Sequence, residues 1–484
     1  MDLITPRRAV RTARALAVAV CVLFTGVLVP AAAPATPAGS AAPAGSAAPA
    51  APAAPLAAAA PTVTAVSTTA LTTNGRTALT YTGYMNGESF QQNGITTFNG
   101  WQYAAFWDQD GYPNISRRQL PSGGWQNLRL TDYVTTSTDS HNVISLGLSP
   151  QDGSIHLAFD MHSSVLKYRR SIAGLATAPT TTAWALSSFG PVVNSLAGTS
   201  MPTMTYPQFI VAPDKTLQLA LRSGLSGSGD EVLYEYNAGT WSYLGKFIDG
   251  ISYDDNAYLF GIEYDRTGLL HVTWTVRETP DASTNHDLYY AYSKDKGRTW
   301  RNNAGSVVAT TGSTALASSA ADLKVWSIGQ NRGLMNQESQ VVDATGIVHV
   351  LASQLPAAAA STPDFTAARN SAVLVHYWRD KASKVWHQDY TPFLERSSRG
   401  DIGVDANDNL YVASGDSSTR KLHIETASKA STWSDWTIRY TSSAIYYSDP
   451  LIDHERLLAL GILSIFSPRY GGSQIDVQDW STSS

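Results

Sequence analysis

From about residue 75 onward the chain is a succession of short apolar or alternating runs, punctuated by Gly, Asp, Asn and Ser. WQYAAFW (Trp101 to Trp107), SIHLAF (Ser154 to Phe159), LLHVTWTV (Leu269 to Val276) and IVHVLA (Ile347 to Ala352) read as β-strands between turns. Helical periodicity is scarce. Several strands follow an acidic turn of one type, in QDGSIHLAF, YDRTGLLHVTW, VDATGIVHVLA and VDANDNLYVAS. One small unit is being reused, which is the mark of a repeat architecture.

Tryptophan supplies the period. Trp125, Trp184, Trp241, Trp300, Trp386, Trp433 and Trp480 are spaced by 59, 57, 59, 86, 47 and 47 residues. A four-stranded propeller blade takes roughly 40–50 residues, and more with loop insertions. The spacing predicts an all-β, seven-bladed β-propeller over residues 71–484, with Ala-rich Leu355 to Asn370 as the insertion in the long interval. Radial packing buries both faces of each short sheet and leaves few edges. Closure should pair the first strand with the last blade, with Arg76 to Tyr84 and Ser473 to Trp480 as candidates. Ser293 to Trp300 (SKDKGRTW) matches the Asp-box, S-x-D-x-G-x-T-W, of neuraminidase-type repeat propellers. That motif is a turn device: Asp caps the hairpin, Gly takes φ > 0 and Trp packs between blades. It carries no chemistry.

The N-terminus reads differently. Arg7, Arg8, Arg11 and Arg14 precede an apolar run from Ala15 to Val29 and small residues at Ala31 to Ala35. Residues 1–35 are therefore expected to be a signal peptide, and the protein to be secreted and extracellular. The Ala/Pro/Gly/Ser-rich stretch assigned to 36–70 is expected to be a disordered linker. Cys21 is the only cysteine and lies in the signal, which leaves no disulfide, thiol nucleophile or cysteine-ligated zinc in the mature chain. Charged residues make up 15% and the net charge is -5, with no basic stripe, so nucleic acid is not an expected partner. No membrane association is expected after signal cleavage, and a monomer is expected.

Titratable side chains cluster at the ends of apolar strands. Asp139-Ser140-His141-Asn142 is followed by Phe159-Asp160-Met161-His162, and then by Tyr206-Pro207 and Arg222. In a propeller such strand ends converge near the axis, where sites form. Two His, one Tyr and one Arg suit β-elimination on a uronic acid. The C5 proton becomes acidic only when the carboxylate charge is offset, which Arg can do with a two-pronged donor. A base must reach C5 and an acid must protonate the leaving O4, roles open to His and Tyr. Each residue also has a plainer reading. Tyr206 could be an aromatic wedge, Arg222 could pair with Asp230 or Glu231, and His286 could be a site residue, a metal ligand or a loop anchor. His156, His271 and His349 recur at one place in the repeat and are expected to be packing residues.

The strings SHNVISLGLSPQDGSIHLAFDMH, TYPQF, DDNAYLFGIEYDRTGLLHVTWTVRE, TNHDLYYAYSKDKGRTWRN and LMNQESQ resemble the BNR-4 repeat proteins. That group includes the seven-bladed ulvan lyases. The resemblance covers roughly residues 80 to 440. It implies that His141 and His162 flank a uronate, that Tyr206 acts as acid and also as base, and that Arg222 neutralises the carboxylate. Asn142, His286, Arg332 and Asn336 are further candidate substrate contacts. Met161 departs from a second His expected beside His162 in some relatives. Some relatives carry a structural zinc on Cys; this chain lacks that Cys, so that site is expected to be absent or rebuilt, and any structural divalent cation is expected to be calcium, on Asp and backbone oxygens, rather than zinc. No cofactor is required for the chemistry. The expected activity is polysaccharide lyase action on a rhamnose–uronate polymer such as ulvan or a plant gum, with an anionic polysaccharide as partner. The alternatives are a glycoside hydrolase on the same propeller and a non-catalytic carbohydrate-binding propeller. The sialidase version lacks its Arg-Ile-Pro motif here.

Overall fold

The computed structural model describes residues 61–77, 84–392, 399–447 and 449–483. The expected signal peptide, and the expected linker as far as residue 60, lie outside the described residues. No helix among the described residues is long and apolar enough to cross a membrane.

The strands form a seven-bladed propeller in the order the tryptophans predict. The blades run from Ile95 to Arg129, Ile144 to Arg170, Met204 to Ile248, Asn256 to Trp326, Ser339 to Tyr390, Asp401 to Ile445 and Leu451 to Ser483. Each is an antiparallel meander running from the axis outward. Blade 2 has three regular strands, and bridges from Tyr168 to Val193 and from Ser171 to Phe189 stand in for a fourth. Trp184 falls in that irregular segment. The 86-residue tryptophan interval holds two additions. Blade 4 gains strands at Val307–Thr310 and Lys324–Trp326, and the Ala-rich loop of blade 5 carries a short helix, Phe365–Arg369.

The repeated acidic turns have one construction. Asp265 Oδ1 accepts the backbone N–H of Thr267 and Leu269 at 2.8 and 2.9 Å. Asp343 does the same for Thr345 and Ile347, and Asp405 for Asn407 and Asn409. Each carboxylate closes the hairpin between the first and second strands of its blade. The imidazoles of His271 and His349 sit fully inside those second strands, near the same carboxylates, and burial lowers both pKa values. With His156 bonded to Ser154 and Tyr168, all three recurring histidines pack, as expected. In the turn at Ser293 to Trp300, Asp295 accepts from Thr299 N at 2.8 Å and from its hydroxyl at 2.7 Å. Gly297 takes φ +79°, and buried Trp300 stacks on Phe247 of blade 3 at 5.3 Å.

Ring closure differs from expectation in one respect. Thr62–Thr72 pairs antiparallel with Ile475–Ser483, in register from Thr62 with Ser483 to Thr72 with Ile475. The outermost strand of the last blade thus comes from the stretch assigned to the linker, rather than from Arg76 to Tyr84. Its sequence, TVTAVSTTALT, is mostly exposed along an edge and so carries little apolar signal. The seam with blade 1 is sealed by a buried charge cluster. Asp479 takes Arg118 and Arg456, each at 2.8 Å, together with the Ser464 hydroxyl at 2.7 Å. Asp453 takes the Gln102 amide at 2.7 Å.

Candidate functional site

The site lies on the face of the ring where the innermost strands begin. Asp139 and His141 precede the inner strand Ile144–Leu148, and His162 follows its neighbour Ile155–Phe159. Tyr206 lies in the inner strand Met204–Val211 of the next blade, and Arg222 in Leu217–Leu225, where it is the register partner of Thr205. Residues far apart in sequence are thus brought to one corner by two adjacent blades.

Asp139 organises the corner. Its two carboxylate oxygens lie 2.6 Å from His141 Nδ1 and 2.5 Å from His162 Nδ1. The two imidazoles stack with centroids 4.0 Å apart. A carboxylate is an acceptor only, so each Nδ1 must carry a proton, and in a neutral ring the lone pair sits on Nε2. Phe90 stacks on His141 at 5.3 Å and meets Tyr206 edge-on at 5.2 Å. The Tyr206 ring lies 6.0 Å from that of His141. Tyr206 has φ +57°, at a bulge where the register slips between Thr205 and Gln208. A left-handed non-Gly residue costs roughly 1–2 kcal/mol, and a bulge there re-aims the side chain toward the axis.

Arg222 sits beneath this group and is only 1% exposed. Its guanidinium carbon is 4.9 Å from the Tyr206 ring centre. It donates to Thr205 Oγ1 at 3.0 Å, Ser163 Oγ at 3.2 Å and Tyr258 Oη at 3.3 Å. It does not hydrogen-bond Asp230, which pairs with Lys246, or its register partner Glu231, whose buried carboxyl is pushed up to about 8. Arg277 covers the other side of Tyr258, 4.2 Å from its ring centre.

These contacts separate the protonation states. Burial pushes His141 down to about 4, against the upward pull of Asp139, so its ring is neutral near pH 7. Burial works against the Asp139 carboxylate, but the hydrogen bonds from both imidazoles hold it well below the usual range. Burial raises the Tyr206 phenol above its ordinary value, outweighing Arg222, so it keeps its proton. For Tyr258, burial also raises the phenol, but Arg277 and Arg222 together bring it below its ordinary value. The corner therefore holds a neutral imidazole with a basic Nε2, one phenol that holds its proton, and one phenol that gives it up more easily.

The other sequence-nominated residues take different places. Asn142 donates to Asp160 at 2.7 Å, and its carbonyl receives the Trp107 indole at 2.7 Å, so it braces the loop. Arg332 donates to the backbone carbonyls of Leu355, Pro356 and Ala359 and pins the blade 5 loop. Asn336 is buried, bonded to Gln337 and Asn285. His286 lies in a separate group with Glu278 and Asp287. Of these four candidate substrate contacts, Asn142, Arg332 and Asn336 spend donors inside the protein. Met161 is a core side chain, packed with Leu166, Met201 and Met204. The sequence reading passed over Phe90, Tyr258 and Arg277. Asp139 stood in the quoted cluster, two residues before His141, a spacing that could have marked it as the partner of that ring.

A cavity of about 410 Å³ lies on the axis toward the other ends of the inner strands. Its lining includes Gln208, Gln340, Glu263, Asp401 and His454, and none of the histidine-pair residues. The candidate site is instead a shallow corner on the opposite side.

The fold is a seven-bladed repeat propeller with a histidine-pair corner at the start of its inner strands. The model of the BNR repeat-containing family matches residues 101–393, more than half the chain, and the protein belongs to that family. Among curated proteins, it is 24% identical over 364 residues to the long isoform of ulvan lyase from Pseudoalteromonas sp. (strain PLSV), covering 64% of this chain and 35% of that one. It is 28% identical over 209 residues to the corresponding protein of Alteromonas sp. (strain LOR), covering 34% and 21%. The chain thus spans about a third or less of the length of these relatives. Among solved structures, it superposes on the polysaccharide lyase Uly1 with a TM-score of 0.67 at 17% identity, covering 86% of this chain and 99% of that one. A PL25 ulvan lyase bound to -[GlcA(1-4)Rha3S]- gives a TM-score of 0.62 at 16% identity, covering 84% and 94%. These superpositions establish the shared fold.

Proposed function

We propose that the protein is a secreted polysaccharide lyase that cleaves a rhamnose–uronate linkage by β-elimination. The observation that carries this reading is the Asp139 carboxylate holding both Nδ1 protons of a stacked imidazole pair, with the His141 ring 6.0 Å from that of Tyr206. The similarity to ulvan lyases supports a uronate as the sugar acid. With the uronate seated there, an imidazole Nε2 takes the C5 proton. The C4–O4 bond breaks as the C4–C5 double bond forms, and the Tyr206 phenol protonates the departing O4. The raised phenol pKa fits the acid role, because Tyr206 enters the step protonated. Arg222 is too buried to grip the carboxylate as an open fork. It acts through its charge and through the Tyr258 hydroxyl it donates to, with Arg277 adding to the same field.

Most glycoside hydrolases use two carboxylates flanking the glycosidic bond. At this corner both oxygens of Asp139 are engaged by the imidazoles, and Glu231, beside Arg222, is buried with its carboxyl pushed up to about 8. Product absorbance tests the reading. Elimination from ulvan or a rhamnose–glucuronate gum leaves an unsaturated uronate that absorbs in the ultraviolet. New reducing ends without that absorbance would replace the lyase with a hydrolase, and binding without any cleavage would leave a lectin-like propeller.

A further inference from the structure

The axial cavity of about 410 Å³ takes no part in the elimination chemistry. Every blade contributes to its wall, from Thr96 of blade 1 to His454 of blade 7. Its volume falls within the roughly 300–1,000 Å³ of ligand pockets, and its wall mixes apolar side chains with a few polar groups, as theirs do. Phe98, Phe209 and Tyr264 supply aromatic surface. Phe209 can lie back against the wall because Gly147 faces it: a Cβ there would stand 2.6 Å from the ring.

Gln208 is the informative member. It is 4% exposed and lines the cavity, yet its side-chain amide has no hydrogen-bond partner among the described residues. A buried amide left unpaired carries the full cost of losing water, which a ligand that satisfies it recovers. Its polar neighbours are engaged. Gln340 accepts from the Thr273 hydroxyl at 2.7 Å, and Tyr264 donates to Gln218 at 2.7 Å. His454 Nε2 lies 3.2 Å from each oxygen of Asp401, which also accepts from the Ser339 hydroxyl at 2.7 Å. Glu263 accepts the Val342 N–H at 3.1 Å, and burial pushes its carboxyl up to about 8, so near pH 7 it also offers a proton. His454 is the sole cation in the wall among the described residues.

We propose that this cavity is a second binding site, for one neutral sugar ring, on the side of the propeller opposite the histidine pair. An amide sets a donor beside an acceptor and so matches two neighbouring hydroxyls, with the Glu263 carboxyl as a further donor. The apolar C–H faces of the ring pack on Phe98, Phe209 and Tyr264. A uronate does not suit the wall, because its charge meets Asp401 and Glu455 while the His454 cation is already paired. An organic cation would have to ionise Glu263 and Glu455, whose carboxyls burial raises. The site owes nothing to the chemistry of the corner.

The test titrates the full chain with L-rhamnose, a neutral deoxyhexose, by calorimetry and ligand-observed NMR. The parent should bind it at a single site, Tyr206→Phe should bind it equally, and excess D-glucuronate should not displace it. Gln208→Leu should weaken binding about tenfold. Leu458→Trp, which fills the cavity from the helix His454–Leu460, should abolish it. Leu458 is partly exposed and lies off the inner strands, so it keeps the test open should Gln208→Leu fold poorly. The proposal is overturned if the parent binds no rhamnose, or if a folded cavity variant binds it as the parent does. Binding lost in Tyr206→Phe but kept in Leu458→Trp would place the sugar at the histidine corner instead. Displacement by glucuronate, or binding of tetramethylammonium without rhamnose, would also refute it.

Discussion

Replacing Asp139 with Asn keeps the size of the side chain and removes the one acceptor shared by both imidazoles. The two hydrogen bonds, at 2.6 and 2.5 Å, join a carboxylate to ring N–H groups. Bonds to a charged group are worth about 1.5–3 kcal/mol each. An amide offers one oxygen and one NH₂, so it can accept from only one ring. Its NH₂ faces the other Nδ1 and forces that ring into the tautomer with the proton on Nε2, where it is no longer a base. Loss of the pair's orientation and of one base therefore costs about 3–6 kcal/mol of transition-state stabilisation, or roughly 10²–10⁴-fold in kcat. The comparable Asp→Asn change in serine-protease triads costs about 10⁴-fold for the same tautomer reason. His141 also loses the neighbour that raises its pKa, so the acid limb of the rate profile moves to lower pH. The assay is ultraviolet product absorbance across a pH series, with circular dichroism to confirm the fold. An Asp139→Asn enzyme within about threefold of the parent, with an unmoved acid limb, refutes the tautomer argument.

His162→Ala and Tyr206→Phe should each abolish turnover while the melting curve stays near that of the parent; full activity in both removes the elimination reading. Arg222 is buried and hydrogen-bonded on three sides, so Arg222→Ala should cost stability as well as rate. Arg222→Lys keeps the charge and should fold, with kcat/KM reduced about 10–100-fold because a compact ammonium cannot span acceptors that the guanidinium reaches from two separate nitrogens. His141 resists protonation in the native state, at about 4 against 6.5 unfolded. The unfolded chain binds the extra proton between those values, so stability is full above pH 6.5 and falls by up to about 3 kcal/mol as pH drops through 4. Urea melts of the parent and of His141→Asn should converge toward the acid end, and parallel curves would refute the shift. Asp479→Ala strands two buried arginines at the ring seam and should destabilise the propeller by about 3–5 kcal/mol in the same melts.

The ring itself was legible because its repeat is local. The acidic turn, the strand after it and one tryptophan lie within a few tens of residues in each blade, and the hairpin hydrogen bonds of Asp265, Asp343 and Asp405 answer directly to the sequence strings. The site was legible only in part. His141, His162, Tyr206 and Arg222 stand out in sequence as titratable or charged side chains at the ends of apolar strands, and the structure brings all four together. Phe90, Tyr258 and Arg277 reach the corner only through contacts made on folding: Phe90 with His141, Tyr258 with Arg222 of blade 3, and Arg277 with Tyr258 of its own blade. Asn142 and Arg332 show the opposite error: polar residues beside a site whose donors are consumed by the loop. The closing strand from Thr62 was missed because Thr and Ala on an exposed edge resemble a linker in composition.

That closing strand has a consequence for how the molecule is made. The rim of the final blade joins the earliest described segment to the latest, so the circle cannot be completed until Ile475–Ser483 has left the ribosome. Until then six finished sheets stand as an open arc, with one face of each of its two terminal members bare. A circularly permuted chain cut in a loop between two other blades would relocate that vulnerable joint, and its refolding rate would report how much the present arrangement delays assembly.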